Sequence, residues 1–506
     1  MAERLTLFQG GVIYTVDTRR PRATWFTVLG DRFQLMGDGL PPPAPRAVDL
    51  GGRCVVPGFV DAHTHFFQTG IDRLHTDVSG ARSLDDLGDL LRARAPGGRR
   101  SWIIAHSFEE DRVPGLGALT REHLDHLFPQ RPVWVNRIDY HSAVVNSAAL
   151  RHLEVPDGAD GLVRAGDGQP NGILRAHAYF HAKARIARLT SIETRERAVR
   201  EAAAACVPHG ITAVHALEGG RIFGDEGVAV LLRKMDTAPL DITLFLQEKE
   251  VWFTKHFGFE HLGGCILVDG SIGSYTAALD QDYEGLPGVR GKLYERPREL
   301  FAFVDEAHRA GCQLAFHAIG PRAIELVLRA YERALARTPR WDHRHRIEHF
   351  ELATDDQIRR AVDLGVVASM QPAFEHFWGG PHGMYAARIG ERWRLTNRLR
   401  TCLDGGLVVA GGSDTNVTPP DPLLGIHAAV NHPNEEQRVT VEEALRMFTW
   451  AAAFAGRNDA RHGTIAPGKE ASFTVLDRDL LATPAQELRD VRVLETWTAG
   501  RRVWAV

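Results

Sequence analysis

The stretch CVVPGFVDAHTH, residues 54–65, decides the fold of this 506-residue chain. A short apolar run ends in polar residues, and two of the last three are histidines. Such a run reads as a buried strand that presents its final residues at its carboxyl end. Seven further runs share the form: ITAVHALE (211–218), DITLFLQE (241–248), CILVDG (265–270), QLAFHAIG (313–320), RIEHF (346–350), VVASMQP (366–372) and VVAGGSD (408–414). Helical stretches lie between them, for example PRAIELVLRAYERALAR (321–337) and TDDQIRRAVDLG (354–365). Strands alternating with helices in this way predict an α/β fold, a (β/α)8 TIM-like barrel.

Working outward, the chain ends are different. LTLFQGGVIYTVD and ATWFTVLGDRFQLMGDG near the start, and GKEASFTVLDRDL and VRVLETWTAGRRVWAV near the finish, alternate apolar residues with Gly and Asp turns. Residues 1–53 and 464–506 are therefore expected to pair into one composite β-sandwich, with the barrel over 54–463. The gap from 66 to 200 is too long for one crossover. It holds its own strand-like runs, SWIIAHSF and PVWVNRI, and reads as an insertion after the first strand.

Hydrophobic residues make up 44% and charged residues 25%, with a net charge of −4. This balance suits a globular protein and points to neither nucleic acid nor an anionic membrane as partner. No apolar run reaches the ~18 residues of a membrane span, and the start carries no signal-like apolar segment. Cysteines at 54, 206, 265, 312 and 402 form no CxxC pair, which suits a reducing, cytoplasmic setting. A small molecule is the expected partner. Oligomeric state is not legible, and a homodimer stays open.

The chemistry lies at the strand ends. In a barrel of this kind the active site forms at the carboxyl ends of the strands. Those ends carry His63, His65, His317, His349 and Asp414. Residues i and i+2 of a strand face the same way, so His63 and His65 can point at one ion. Imidazole and carboxylate are zinc ligands, and a catalytic zinc keeps one position open for water. A divalent metal is expected, with zinc first in mind, although such sites accept several ions. Water activated there needs a partner to take its proton and return it to a leaving nitrogen. Asp414, beside the metal, can do both.

These residues, with VVPGFVDAHTHF, YHSAVVNSAAL (140–150), VDGSIGSYTAAL (268–279), FHAIG (316–320), HRIEHFEL (345–352), GGSD (411–414), PLLGIHAAV (422–430) and the ending GTIAPGKEASFTVLD (463–477), give the chain a family likeness. It resembles the amidohydrolase superfamily, in particular the amidohydrolase-3 or YtcJ-like branch that includes N-substituted formamide deformylase. The resemblance implies a metal-dependent barrel hydrolase of non-peptide C–N bonds (N-acyl, N-formyl or cyclic amides). It implies metal ligands at His63, His65, His317, His349 and Asp414, and a substrate-facing role for His141. Asp269 and Tyr275, in the loop after the fourth strand, and His376 and Trp378, in PAFEHFWGGPHGMY (372–385), are further expected substrate contacts. A lyase, decarboxylase or isomerase on the same barrel, or a non-catalytic small-molecule binder, are the alternatives.

One departure stands out in GGCILVDGSIGSYTAAL (263–279). Members of the branch usually carry a lysine, often carbamylated and bridging two metals, where this chain has Cys265. The thiol reads as a metal ligand, as buried packing or, least of all, as a nucleophile. A cysteine sulfur reaches less far than a lysine tip, so on a regular strand it would fall several ångströms short of the metal. One ion rather than two is therefore expected. Glu218 and Lys249, at the ends of the second and third strands, are the candidates to replace the lost lysine.

Overall fold

The computed structural model describes residues 5–95, 97, 101–113, 116–220 and 225–506. The predicted barrel is present as an eight-stranded sheet. Its strands are β1 (Phe59–Thr64), β2 (Ile211–Glu218), β3 (Asp241–Leu246), β4 (His261–Leu267), β5 (Gln313–Ala318), β6 (Arg346–His349), β7 (Val367–Met370) and β8 (Val408–Gly411). They pair in parallel, in sequence order from β1 to β8. A bridge between Thr64 and Thr415 joins the last strand region back to the first. Every residue of β1, β2, β5, β6 and β7 is buried, as expected for parallel strands covered on both faces.

The intervening helices carry readable start and stop signals. Helix Asp355–Leu364 begins at Thr354, whose hydroxyl accepts the Gln357 N–H while the Gln357 side chain reaches back to the Thr354 N–H. Gly365 ends it with a left-handed φ of 71°. Helix Pro321–Arg337 starts with proline in its first turn, where the missing N–H costs nothing.

The run 54–65 is divided between two sheets. Cys54–Pro57 belongs to the terminal sheet, and only Phe59–Thr64 enters the barrel. In that terminal sheet Cys54–Pro57 pairs with Phe473–Leu476 from the far end of the chain, Phe473 lying opposite Pro57. Phe8 and Phe26 stack at 4.9 Å, and Phe473 and Trp497 at 5.3 Å, so rings from both termini share one core.

The chain divides into two compact units. The first holds residues 1–65, 203–217 and 235–506, and so the terminal sheet and nearly all of the barrel. The second holds 66–202 and 218–234. It is built on its own six-stranded sheet, with a core that includes Leu87, Ile103, Val133 and Val144. Among the described residues no helix is long and apolar enough to cross a membrane.

Three buried histidines lock the amino-terminal ends of β5 and β6. The Leu314 N–H donates to His345 Nδ1 (3.0 Å), and His345 Nε2 lies 2.8 Å from His308 Nδ1. His308 Nε2 in turn faces the Thr338 carbonyl at 2.7 Å. His343 accepts the His345 N–H (2.9 Å) and faces the Leu364 carbonyl at 2.7 Å. Each ring is thus a neutral tautomer with both nitrogens used. Burial, reinforced for His345 by its neighbouring histidines, holds His308 and His345 below the ordinary range and lowers His343 to about 4.

In an unfolded chain these rings protonate near pH 6.5. The stability they confer is therefore complete above about pH 6.5 and is lost as pH falls toward 4. We expect the urea midpoint of the protein to drop across this window. A His343→Gln variant, which cannot titrate there, should drop less; identical pH dependence would contradict this reading.

Candidate metal centre

Six side chains gather at the carboxyl ends of the barrel strands, all within the first unit. His63 and His65 come from the end of β1, Cys265 from β4, His317 from β5, His349 from β6, and Asp414 from just beyond β8. All six are buried. Asp414 Oδ1 lies 3.3 Å from His63 Nε2 and 3.1 Å from His65 Nε2. Cys265 Sγ lies 3.9 Å from His63 Nε2 and 3.8 Å from His317 Nδ1. The His317 and His349 rings are 4.4 Å apart, and His63 and His349 4.8 Å. Two overlapping groups emerge, His63–His65–Asp414 and His63–Cys265–His349, each with its ligand atoms within 4.8 Å of one another.

The inward nitrogen of each ring is set by what the other nitrogen does. His63 Nδ1 is 2.7 Å from Glu348 Oε2, His65 Nδ1 is 3.2 Å from the Leu217 carbonyl, and His349 Nδ1 is 2.7 Å from Gln371 Oε1. These acceptors call for Nδ1–H, so Nε2 is the nitrogen turned toward the site. His317 is reversed: its Nε2 is 3.3 Å from the Gly270 carbonyl, so Nδ1 faces the site, and Nδ1 is the atom nearest Cys265.

The arrangement fits a cation. With Nδ1 protonated on both rings, the neutral tautomers turn His63 Nε2 and His65 Nε2 as acceptors toward one Asp414 oxygen, at 3.3 and 3.1 Å. Acceptors turned on one another inside a protein call for positive charge between them. The electrostatics show the same demand for positive charge, which a second proton on each imidazole meets as a cation would. Burial works against a charged imidazole, yet the Asp414 carboxylate holds His63 well above its ordinary range and helps raise His65 to about 9. Burial likewise pushes the Cys265 thiol up, but contacts with His317, His349, His63 and His65 hold it well below the usual thiol range.

Local backbone explains how the residues converge. His349 (φ 72°) and Asp414 (φ 54°) both sit in the left-handed region, which is uncommon for such residues and clusters at functional sites. In β6, Arg346 and Glu348 alternate to one side. The turn at His349 breaks the alternation, so this ring also comes up against His63. Gly412 is needed for close approach: a Cβ there would sit 2.7 Å from the His63 nitrogen. Across that contact the Asp414 N–H donates to the His63 carbonyl (2.8 Å) and the His65 N–H to the Thr415 carbonyl (2.6 Å).

Strand β4 answers the question of reach. Gly263 and Gly264 have φ of 96° and 81°, and the register against β5 shifts between Gly263 and Leu267. This irregularity carries Cys265 inward, within 4 Å of histidine nitrogens from β1 and β5. The shortfall expected for a regular strand does not arise.

Other expected residues fall elsewhere. Asp269 is fully buried, and its carboxylate accepts the backbone N–H groups of Ala278, Ile319 and Gly320 at 2.8–3.0 Å. It anchors two loops, and its Oδ1 lies 3.8 Å from His317 Nε2. Lys249 is exposed and paired with Glu295 at 2.6 Å. Glu218 accepts the Phe67 N–H (2.7 Å) within the second unit. Neither takes the place of the lysine.

His376 is exposed and its ring neighbours His427 (5.8 Å), with no described contact to the ligands. Trp378 is buried edge-on to Phe374 (4.9 Å), and Phe374 stacks on the His349 ring at 6.1 Å. The Tyr275 ring lies beneath the Arg388 guanidinium at 4.6 Å. His141 belongs to the second unit, where its N–H donates to Asp139.

Glu348, Gln371 and Asp61 escaped the sequence reading. Asp61 accepts the His63 N–H, the Ser413 N–H and the Ser413 hydroxyl, joining the two ends of the barrel sheet beneath the ligands. Its signal was a charged residue inside an otherwise apolar strand, two positions before the first histidine.

Fold and site together define a metal-dependent barrel hydrolase. The chain belongs to the amidohydrolase family, whose profile matches residues 46–504. It is 29% identical to the putative amidohydrolase YtcJ of Bacillus subtilis, over 98% of this chain and 99% of that protein. It is 27% identical to the N-substituted formamide deformylase of Arthrobacter pascens, over 96% of each. Among solved structures, an uncharacterized metal-dependent hydrolase from Pyrococcus furiosus is similar, with a TM-score of 0.74 at 25% identity over 94% of this chain and 100% of that one.

Proposed function

We propose that the protein hydrolyses a non-peptide C–N bond of a small molecule, an N-acyl, N-formyl or cyclic amide, and releases amine and acid. The observation that carries this reading is the meeting of Asp414 Oδ1 with Nε2 of both His63 and His65. The name of the deformylase relative, which specifies an N-substituted formamide for that protein, supports the bond type.

His63, His65, Cys265, His317, His349 and Asp414 would hold divalent metal, with zinc as the first choice for a His, Cys and Asp donor set. A bound ion supplies Lewis-acid polarisation of the carbonyl and lowers the pKa of water. The remaining work falls to the chain. Asp414 accepts a proton at its carboxylate as water adds to the carbonyl carbon. It then delivers that proton to the nitrogen as the C–N bond breaks, so acid and amine leave in balance. Phe374 and Trp378 supply an apolar wall beside His349. Incubating the metal-loaded protein with a panel of formamides, N-acyl amines and cyclic amides tests the reaction. Equimolar amine and acid are expected; CO2 release without water incorporation would contradict hydrolysis.

The position of the Cys265 sulfur favours two ions over the single ion read from the lost lysine. It stands near nitrogens of both His63 and His317, so the site offers six donor side chains, more than one four-coordinate ion would use. Cys265→Ala is then expected to lower bound metal from two to one per chain, with activity falling about 10–100-fold or more. Unchanged metal content and rate, measured by mass spectrometry and product assay, would leave the thiol as packing only.

A further inference from the structure

We infer that Arg346 is a positioning residue: acting through Glu348, it holds His63 in the tautomer that turns Nε2 toward the metal. The inference rests on the metal-centre reading above and extends it one layer into the barrel.

Arg346 is fully buried beneath the ligands, an unusual place for a guanidinium. Its donors are spent on named acceptors. Nε donates to Glu348 Oε1 and Nη2 to Glu348 Oε2, both at 2.8 Å, a two-pronged grip on one carboxylate. Nη2 also donates to the Ala62 carbonyl in β1 (2.6 Å) and to Ser369 Oγ in β7 (3.0 Å). Nη1 meets His215 Nδ1 in β2 at 2.9 Å, and the guanidinium lies 4.5 Å over the Phe245 ring of β3. One side chain in β6 thereby contacts four other strands.

The grip ends on a ligand. Glu348 Oε2, the oxygen held by Nη2, is the atom 2.7 Å from His63 Nδ1. The guanidinium fixes the plane of the carboxylate, and Oε2 keeps a further lone pair that meets His63 Nδ1. A buried ion pair seldom adds stability over apolar packing of similar volume, so stability alone gives little reason to keep one here. Fixing a ligand's orientation and protonated nitrogen is a use that apolar packing cannot supply. Lysine would keep the charge but lose the planar fork.

The test compares metal affinity in the unaltered chain, Arg346→Met, Arg346→Lys and Glu348→Gln. Apo-protein competes with a chromogenic chelator for zinc, and the Co(II) absorption spectrum is recorded for each. Thermal midpoints of the apo-proteins report folding separately. Arg346→Met and Glu348→Gln are expected to bind metal about 10–100-fold more weakly and to shift the Co(II) spectrum. Arg346→Lys should recover only part of the affinity. Wild-type affinity and spectrum in either Arg346→Met or Glu348→Gln, whichever folds, would overturn the inference, as would full recovery with lysine. Absence of metal from the unaltered chain would overturn the metal-centre reading itself, and this inference with it.

Discussion

Replacing Asp414 by Asn is expected to lower kcat by about 10²–10⁴-fold, the range typical of a lost general acid–base. The two side chains are nearly the same size, and the amide oxygen can still approach His63 and His65. What Asn cannot do is take a proton from water and return it to nitrogen. Both halves of the reaction depend on that transfer, so the loss falls on kcat rather than on KM. In barrier terms it amounts to about 3–5 kcal/mol. Steady-state kinetics on the metal-saturated variant, with metal content measured alongside, provide the check. A variant that keeps its metal and turns over within a few-fold of the parent would remove Asp414 from the chemistry.

Removing the metal should have an effect of at least similar size. A polarising ion contributes several kcal/mol to a developing oxyanion, which corresponds to on the order of 10³-fold in rate. Dialysis against a chelator is expected to abolish turnover, and added zinc to restore it. The double variant His63→Ala/His65→Ala should not be restored at any metal concentration, because it leaves Asp414 Oδ1 without either neighbouring nitrogen. Chelation should also lower the thermal midpoint, since metal that binds only the folded chain stabilises it by mass action. Full activity after exhaustive chelation, verified by mass spectrometry, would contradict the account.

Much of this was legible in the sequence for a physical reason. Parallel barrel strands are short, apolar and covered on both faces, so each announces itself as a run that stops at a polar residue. The stops are where side chains enter the site, and His63, His65, His317, His349 and Asp414 stand at four of them, the first two sharing one strand end. What stayed hidden depends on backbone that departs from regular strand. Cys265 looked too short to reach the ligands because a regular β4 was assumed; the paired left-handed glycines Gly263 and Gly264 alter that geometry. The anchoring role of Asp269 stayed hidden because a loop aspartate reads the same whether it faces solvent or three backbone N–H groups. Glu348 and Arg346 were quoted as part of a motif, but the contact of Glu348 with a ligand from β1 spans 285 positions, and no local pattern encodes it.

The most direct test of the central claim is an anomalous diffraction map of crystals grown from protein purified without chelator and collected at the absorption edge of the bound metal. Two adjacent peaks are predicted among His63, His65, Cys265, His317, His349 and Asp414. No peak at these residues in a chain that hydrolyses amides would contradict the account.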